Sequence, residues 1–345
     1  MNKVFRFLLL VLVVMTMTGF LGGCRESAEK SKGQVVVYTS VDQVYSEKVV
    51  RDFEQSTGIK VKAVYDIEAN KTVGLANRLI EEMPSPQADV FWNGEILQTI
   101  ALKEQGVFEA VDLTAAANLP ANFVDPDKCW FGFGGRARVY FYNQTLVKAP
   151  DCPQTMQAIP TSEIVEKTGM AYPIFGTTNT EAAVLYAYWG EAAARNYYQS
   201  LKAAGIQVVD GNSVVKDFVS QKKLTAGLTD TDDALSEMKK NADLQIILLD
   251  QGADQMGALV IPNSVARIKD GPNPDNATVL MNYLLSAETE QALVDDGWIH
   301  IPVHQVVEPS AEIDAAQIKI MAVDFNQAYA MLQQATKDMS EIFAR

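Results

Sequence analysis

Three aspartates crowd one short stretch in the second half of the chain. Asp230, Asp232 and Asp233 lie in the sequence TDTDD, directly after an apolar run that predicts a β-strand. Crowded carboxylates repel one another unless a cation neutralises them or water screens them. Because oxygen ligands suit hard cations, this turn is a candidate cation site. Alternatively, Asp232 or Asp233 caps the helix predicted from Ala234 while the other carboxylates are solvated.

Two further acids follow predicted strands in the first hundred residues. Asp42 comes after the first predicted strand, and Glu95 comes after the third. Each has a simpler alternative role, because Asp42 could cap the next helix and Glu95 could be a first-turn acid favoured by the helix dipole. If both face the acidic turn, the site would hold a metal ion or an organic polyamine. The predicted metal ligands are then Asp42, Glu95, Asp232 and Asp233.

Two polar loops precede predicted helices and could bind an anion. The segment 176–180, with the sequence GTTNT, leads into a long predicted helix, and the segment 211–213, with the sequence GNS, opens another. Backbone N–H groups in a first helical turn have no partner within the helix, so with nearby hydroxyls they form anion sites. Simple helix capping is the alternative for each loop. The candidate ligand-binding residues here are Thr177, Thr178, Asn212 and Ser213, together with Asp230.

Two aromatic residues stand at the ends of predicted strands. Tyr38 and Trp92 could stack on a ligand ring, or they could fill the core beside their strands. His300 and His304 lack the spacing of metal ligands and are interpreted as structural residues. No phosphate-binding P-loop, GxSxG elbow or HExxH motif is present in the sequence, and no nucleophile–base pair emerges from it.

The composition is that of a globular, acidic protein. The chain has 345 residues, of which 48% are hydrophobic and 21% charged, with 29 Lys and Arg against 43 Asp and Glu and a net charge of −14. This length suggests about two domains. The negative charge opposes contact with the phosphates of a nucleic acid, so nucleic acid is excluded as a partner.

The N-terminal residues have the features of an export signal. Lys3 and Arg6 precede an apolar run over 7–15, and the sequence LGGC ends at Cys24. The apolar stretch is too short for a membrane span, which predicts a signal peptide over 1–23. LGGC resembles a bacterial lipobox, which implies a lipid on Cys24 and a polar tether over 24–33. In an oxidising compartment Cys129 and Cys152 could form a disulfide, or they could be two buried thiols.

Strand and helix patterns alternate along the chain. Over 34–105 three apolar strands alternate with three helices, which is typical of a parallel sheet with crossover helices. A second α/β unit follows, with a strand predicted over 171–175 and one long helix over about 180–204. The sequence GFGGR at 132–136 predicts a hinge loop, and the pattern over 315–343 predicts a C-terminal helix.

Several stretches together resemble a known family. In order, these are VVVYTSVDQVYSEKVVRDFEQSTGIKV, ADVFWNGEILQTIALKEQGV, PIFGTTNTEAA, DGNSVVKDF and GLTDTDDA. They resemble the extracellular solute-binding proteins of ABC importers, in the ferric-iron-type branch of the type 2 periplasmic binding protein fold. The resemblance implies an α/β fold of two lobes with a hinge and an inter-lobe cleft. The first lobe would be 34–138 plus 258–308, and the second 139–257 plus 309–345.

The same resemblance assigns roles to the candidate residues. Relatives place a metal ligand near Asp42 and an acidic ligand within one residue of Glu95, and their two polar loops hold a synergistic anion. In the ferric-iron relatives the acidic turn supplies two adjacent tyrosines, whereas Asp232 and Asp233 stand at those places here. This departure removes the tyrosine ligands and leaves a cation bound by carboxylate oxygens as the expectation.

The expected function is therefore capture and delivery without catalysis. A lipid-anchored, periplasmic or cell-surface monomer would bind ferric iron or another hard cation with a synergistic anion. It would then dock on an ABC permease in the inner membrane, touching the membrane only through Cys24. An organic solute, such as a thiamine-like cation, a polyamine or a phosphonate, is the alternative cargo. A periplasmic enzyme on the same scaffold is the alternative of a different class.

Overall fold

The computed structural model describes residues 33–66, 73–309, 313 and 317–344. The predicted signal peptide and Cys24 lie outside the described residues, as does the tether except for Gly33. The strands are β1 Gln34–Thr39, β2 Lys60–Tyr65, β3 Val90–Asn93, β4 Trp130–Asn143, β5 Thr168–Ala171, β6 Gln207–Val209, β7 Ala226–Asp230, β8 Leu244–Ile247 and β9 Val260–Arg267. The helices are α1 Gln43–Thr57, α2 Val73–Glu82, α3 Leu97–Glu104, α4 Gly176–Trp189, α5 Glu191–Ala203, α6 Asn212–Ser220, α7 Thr231–Met238, α8 Pro274–Leu284, α9 Ala287–Asp295 and α10 Phe325–Ile342.

Local sequence explains how the first unit begins. The β-branched run of β1 suits a strand buried between helices. Asp42 is the N-cap residue of α1, and Gly58 ends that helix with φ of 75° and a backbone N–H donated to Glu54 O. Glycine adopts this left-handed conformation without the steric cost that a Cβ would bring. The chain can therefore turn directly into β2, which pairs in parallel with β1.

The strands of the described chain form two sheet regions joined along β4. The order β2-β1-β3-β9-β4-β7-β5-β6 runs across both regions, and β8 also pairs with β4. The first part of β4, up to Ala137, pairs with β9, whereas Arg138 and the residues after it pair with β7 and β8. One continuous strand therefore carries the chain from the first region into the second, and its midpoint lies beside the carboxyl ends of β3 and β7.

Helix packing also connects the two regions. The C-terminal helix α10 lies mainly against α4 and also contacts α3 and α5. Its aspartate Asp338 is fully buried and accepts hydrogen bonds from the Tyr186 hydroxyl and from Arg195. The Asn179 side chain of α4 also bonds to Thr336, so α10 lies along α4 from its first turn onward.

Several elements differ from the sequence prediction. The long helix predicted over 180–204 is two helices, because Gly190 adopts φ of 83° and breaks the backbone between α4 and α5. The residues GFGGR lie inside strand β4 and not in a loop. Strand β5 ends at Ala171, before most of the predicted segment, and the C-terminal helix begins at Phe325 and not near 315.

Two remaining features concern the cysteines and the helices. Cys129 is half-buried and Cys152 is buried, and both are free thiols, so the disulfide alternative does not hold. None of the helices in the described part of the chain combines the length and the apolar character that a membrane span requires.

Candidate functional site

A cavity of about 540 Å³ of empty space, partly open to solvent, lies where the two sheet regions meet. Nine of the eleven candidate ligand residues line it, contributed by loops after β1, β3 and β7 and by the first turns of α4 and α6. The carboxyl ends of strands in α/β sheets commonly form such ligand sites. The lining residues are Ser40, Asp42, Gly94, Glu95, Arg136, Ala171, Phe175, Gly176, Thr177, Thr178, Gly211, Asn212, Ser213, Asp230, Asp232 and Asp233.

Carboxylates from both sheet regions meet at one side of this cavity. Asp232 and Asp233 lie in the first turn of α7, in the second sheet region, and Asp42 precedes α1, in the first sheet region. Burial, and then the negative charges of Asp232, Asp233 and Asp42, raise the pKa of the Tyr45 phenol. The Tyr45 hydroxyl therefore lies close enough to all three carboxylates for their charges to act on it. Asp42 and Asp233 are half-buried, whereas Asp232 is 3% exposed.

The first turns of two helices face the other side of the cavity. The N-cap residues of α4 and α6, Phe175 and Gly211, supply no side-chain cap hydrogen bond. Helix N-termini carry partial positive charge and N–H groups that have no partner within the helix, and they therefore favour an anionic group. Asp42, Asp232 and Asp233 thus form an acidic side of the cavity, and the N-termini of α4 and α6 form an anion-favouring side, beside which the Asp230 carboxylate is paired with Arg138.

Side-chain hydrogen bonds fix the two polar loops against β7. The Thr177 hydroxyl donates to Asp230 Oδ2 at 2.6 Å, and Asn212 Nδ2 donates to Thr177 Oγ1 at 2.7 Å. The Thr178 hydroxyl donates to Asn212 Oδ1 at 3.3 Å. These bonds lock the two helix N-termini together, so their backbone N–H groups keep a fixed relative position.

Two buried arginines on β4 form a charge network that the sequence analysis missed. Arg138 Nη1 donates to Asp230 Oδ1 at 2.8 Å, and Arg138 Nε donates to Glu181 Oε1 at 3.3 Å. Arg136 Nη1 lies 3.2 Å from Asp232 Oδ2. Burial alone would raise the pKa of Asp230, but the positive charges of Arg138 and then Arg136 outweigh it, so the pKa is lowered. The sequence signal was the pair of arginines at alternate positions in an otherwise apolar strand, GGRARVYFY.

Glu95 is buried within a dense set of donors. Its carboxylate accepts hydrogen bonds from the backbone N–H groups of Leu97, at 2.7 Å, and Gln98, at 2.8 Å, in the first turn of α3. The Thr180 hydroxyl on α4 donates to Glu95 Oε2 at 2.8 Å, which connects the two sheet regions. Burial raises the pKa of the Glu95 carboxyl, although these hydrogen bonds oppose the rise. The geometry matches the helix-terminal alternative of the sequence analysis.

Tyr38 and Trp92 lie away from the cavity. The Tyr38 hydroxyl donates to Glu82 at 3.0 Å, and its ring packs under the Arg78 guanidinium. Trp92 packs within the core near Phe133, with ring centroids 6.5 Å apart. Both side chains are 1% exposed, because the strand register turns them toward the covering helices. They therefore follow the core-packing alternative.

The cavity is rich in acids but does not gather them around one point. Among the described residues, no group of three or more His, Cys, Asp or Glu side chains has the arrangement of a metal site. His304 Nδ1 lies 2.7 Å from Glu290 Oε2, outside the cavity. The acids of the cavity are instead separated by arginine and by backbone donors.

Comparison with known proteins agrees with this architecture. Residues 48–320 match the family model described as bacterial extracellular solute-binding protein. The chain belongs to this family. As a solute-binding protein it binds a ligand outside the cytoplasm and does not transform it, as the sequence predicted.

Three similar proteins are named for two kinds of ligand, iron for two of them and 2-aminoethylphosphonate for the third. Iron-bound HitA from Pseudomonas aeruginosa superposes with a TM-score of 0.79 at 19% identity, covering 89% of this solute-binding protein and 99% of HitA, which confirms the predicted fold class. Iron uptake protein A2 of Synechocystis is 25% identical, over 66% of this chain and 70% of its own. A putative 2-aminoethylphosphonate-binding periplasmic protein of Salmonella paratyphi A is 23% identical, over 75% and 74%.

Proposed function

We propose that this solute-binding protein captures a small solute that carries both a cationic and an oxyanionic group, and delivers it to an ABC permease in the inner membrane. One observation carries the proposal: the acids Asp42 and Asp233 and the N-termini of α4 and α6 line the same cavity. A ligand with charges of both signs satisfies both sides at once. The carboxylates would repel a ligand that carries only negative charge. A ligand that carries only positive charge would place no anionic group at the helix N-termini.

An aminoalkylphosphonate fits these two sides best. Its phosphonate oxygens would accept hydrogen bonds from the backbone N–H groups in these first turns, as anions do at helix N-termini. The residues concerned are Thr177, Thr178, Asn212 and Ser213. Its ammonium group would donate to Asp42 and Asp233, because these carboxylates are the more exposed acids of the cavity. The Salmonella relative, named for binding 2-aminoethylphosphonate, supports this ligand class.

A hard cation with a synergistic anion is the second candidate. Ferric iron would take oxygen ligands from Asp42, Asp232 and Asp233, with the anion at the helix N-termini. The described structure does not arrange these acids as a metal site, and Arg136 already pairs with Asp232, which places this candidate second. The presence of these three acids in one cavity and the relative named as an iron uptake protein support it. Glu95 contributes less to this candidate, because its carboxylate already accepts four hydrogen bonds.

A calorimetric titration distinguishes the two ligands. Purified protein, dialysed against a chelator, is expected to bind 2-aminoethylphosphonate at one saturable site. At a ligand concentration of 100 times Kd, binding would stabilise the fold by about 2.7 kcal/mol. Ferric citrate serves as the parallel titrant, and methylphosphonate and ethanolamine test each charge alone. Binding of ferric citrate without 2-aminoethylphosphonate would favour the second candidate, and binding of neither would reject both.

We also propose that the protein closes around its ligand as two lobes. The division into 34–138 plus 258–308 and 139–257 plus 309–345 is supported by the change of pairing partners along β4 between Ala137 and Arg138. A ligand that contacts Asp42 in one lobe and Asp233 in the other would favour the closed state. The protein would act as a monomer, since one chain supplies the whole cavity.

We further propose that Cys24 carries a lipid and holds the protein at the cell surface or in the periplasm. The chain expressed in bacteria with its own N-terminus is expected to sediment with membranes. The Cys24→Ser variant should instead be released or retained unprocessed, and its mass should lack the lipid. Cys129→Ser is the matched control and should stay with the membranes. Membrane association of a Cys24→Ser chain from which residues 1–23 have been cleaved, or a lipid mass on that variant, would contradict the anchor.

A further inference from the structure

Arg136 occupies the acidic side of the cavity and is rigidly held there. Its side chain is 6% exposed, and Nη2 donates to Gly94 O at 2.6 Å. Its guanidinium carbon lies 4.1 Å from the centroid of the Trp298 ring. Trp298 is itself fixed, because its indole N–H donates to Asn263 Oδ1 at 2.8 Å. The arginine is thus clamped between a backbone carbonyl and an aromatic face.

The charge of Arg136 is directed at the acidic turn. Nη1 lies 3.2 Å from Asp232 Oδ2 and 3.8 Å from Asp230 Oδ2. Of the residues that line the cavity in the described part of the chain, Arg136 is the basic one. Its guanidinium therefore supplies, from within the chain, the counterion that crowded carboxylates require.

We propose that Arg136 determines which cations the cavity accepts, by neutralising Asp232 and Asp230 and excluding a multivalent metal ion from them. A metal bound by Asp232 would lie within a few ångströms of the guanidinium, and like charges at that distance repel strongly in a partly buried site. A monovalent ammonium at Asp42 and Asp233 meets less repulsion, because its charge is smaller. The inference rests on the proposed function only in taking this cavity as the ligand site.

Terbium luminescence tests the exclusion directly. Tb³⁺ is a hard trivalent ion whose emission is excited through a nearby indole, and Trp298 lies beside Arg136. The wild-type protein is expected to show no saturable emission that depends on Asp232. Arg136→Gln should raise the affinity for Tb³⁺ by about tenfold or more, because the repelling charge is gone. Adding Asp232→Asn to Arg136→Gln should remove this gain.

The matched control is Arg267→Gln. Like Arg136, Arg267 is a strand arginine with an acidic partner, Glu109, and a backbone acceptor, but its side chain is 19% exposed and does not line the cavity. The Arg267→Gln variant should bind Tb³⁺ with the affinity of the wild type. A folded Arg136→Gln protein whose Tb³⁺ affinity equals that of the wild type would overturn the inference.

Two further comparisons keep the test decisive. If Arg136→Gln does not fold, wild type and Asp232→Asn carry the test, since Asp232→Asn should leave Tb³⁺ emission unchanged and a decrease would overturn the inference. Titration with 2-aminoethylphosphonate is a separate readout. Its failure with the wild type would reject the aminophosphonate proposal, whereas the Tb³⁺ result would still decide the role of Arg136.

Discussion

Replacement of Arg138 by methionine is expected to lower the free energy of unfolding by about 3–5 kcal/mol, the usual loss when one partner of a buried ion pair is removed. Arg138 bridges Asp230 and Glu181, and all three side chains are less than 5% exposed. Methionine fills similar space without the charge, so two buried carboxylates lose their main counterion. Urea denaturation at pH 7 measures the loss.

The control and the pH dependence separate this effect from general sensitivity to substitution. Arg78→Met removes an arginine whose side chain is 46% exposed and whose partner Glu82 keeps the hydrogen bond from Tyr38, so the free energy of unfolding should change by no more than about 1 kcal/mol. The folded-state pKa of Asp230 is lowered, so its contribution is present above the unfolded value of about 3.9 and is lost as the pH falls through the folded pKa. The difference between wild type and Arg138→Met should therefore shrink below about pH 4. An equal decrease in the free energy of unfolding for Arg138→Met and Arg78→Met at pH 7 would contradict a stabilising role of the buried charge network.

The double variant Asp42→Asn/Asp233→Asn is expected to weaken binding of 2-aminoethylphosphonate by about a hundredfold or more. Hydrogen bonds to charged groups contribute about 1.5–3 kcal/mol each, and two would be lost. Methylphosphonate has no ammonium group, so its affinity should not fall. Calorimetric titration of both ligands into both proteins gives the comparison.

A charge-matched control distinguishes a local contact from the net charge of the protein. Asp112→Asn/Asp127→Asn also removes two carboxylates, and both of these side chains are highly exposed and outside the cavity. This control should leave both ligands unaffected. An equal loss for the two phosphonates in Asp42→Asn/Asp233→Asn would mean that the acids shape the cavity and do not contact the ammonium group.

Local sequence patterns predicted the helices and strands correctly where neighbouring residues decide the backbone conformation. The strands of the first unit and their helices follow the apolar periodicity, because each element buries one face. Asp42 and Gly58 mark the two ends of α1 for reasons contained in a few residues. The prediction of one long helix over 180–204 was wrong at Gly190. There the backbone has a positive φ, which a pattern of apolar residues does not reveal.

The amino-acid sequence by itself determined the fold family and nine lining residues of the cavity, because ligand loops follow strands whose positions the pattern predicts. Only the tertiary structure decided which charges meet. Arg136 reaches Asp232 and Arg138 reaches Asp230 across more than ninety residues, and the strand register turns Tyr38 and Trp92 into the core. The arginine contacts depend on how β4 pairs with β7 and β9, and the placement of Tyr38 and Trp92 depends on how β3 pairs with β1 and β9. Such long-range pairing leaves no trace in the residues next to each side chain.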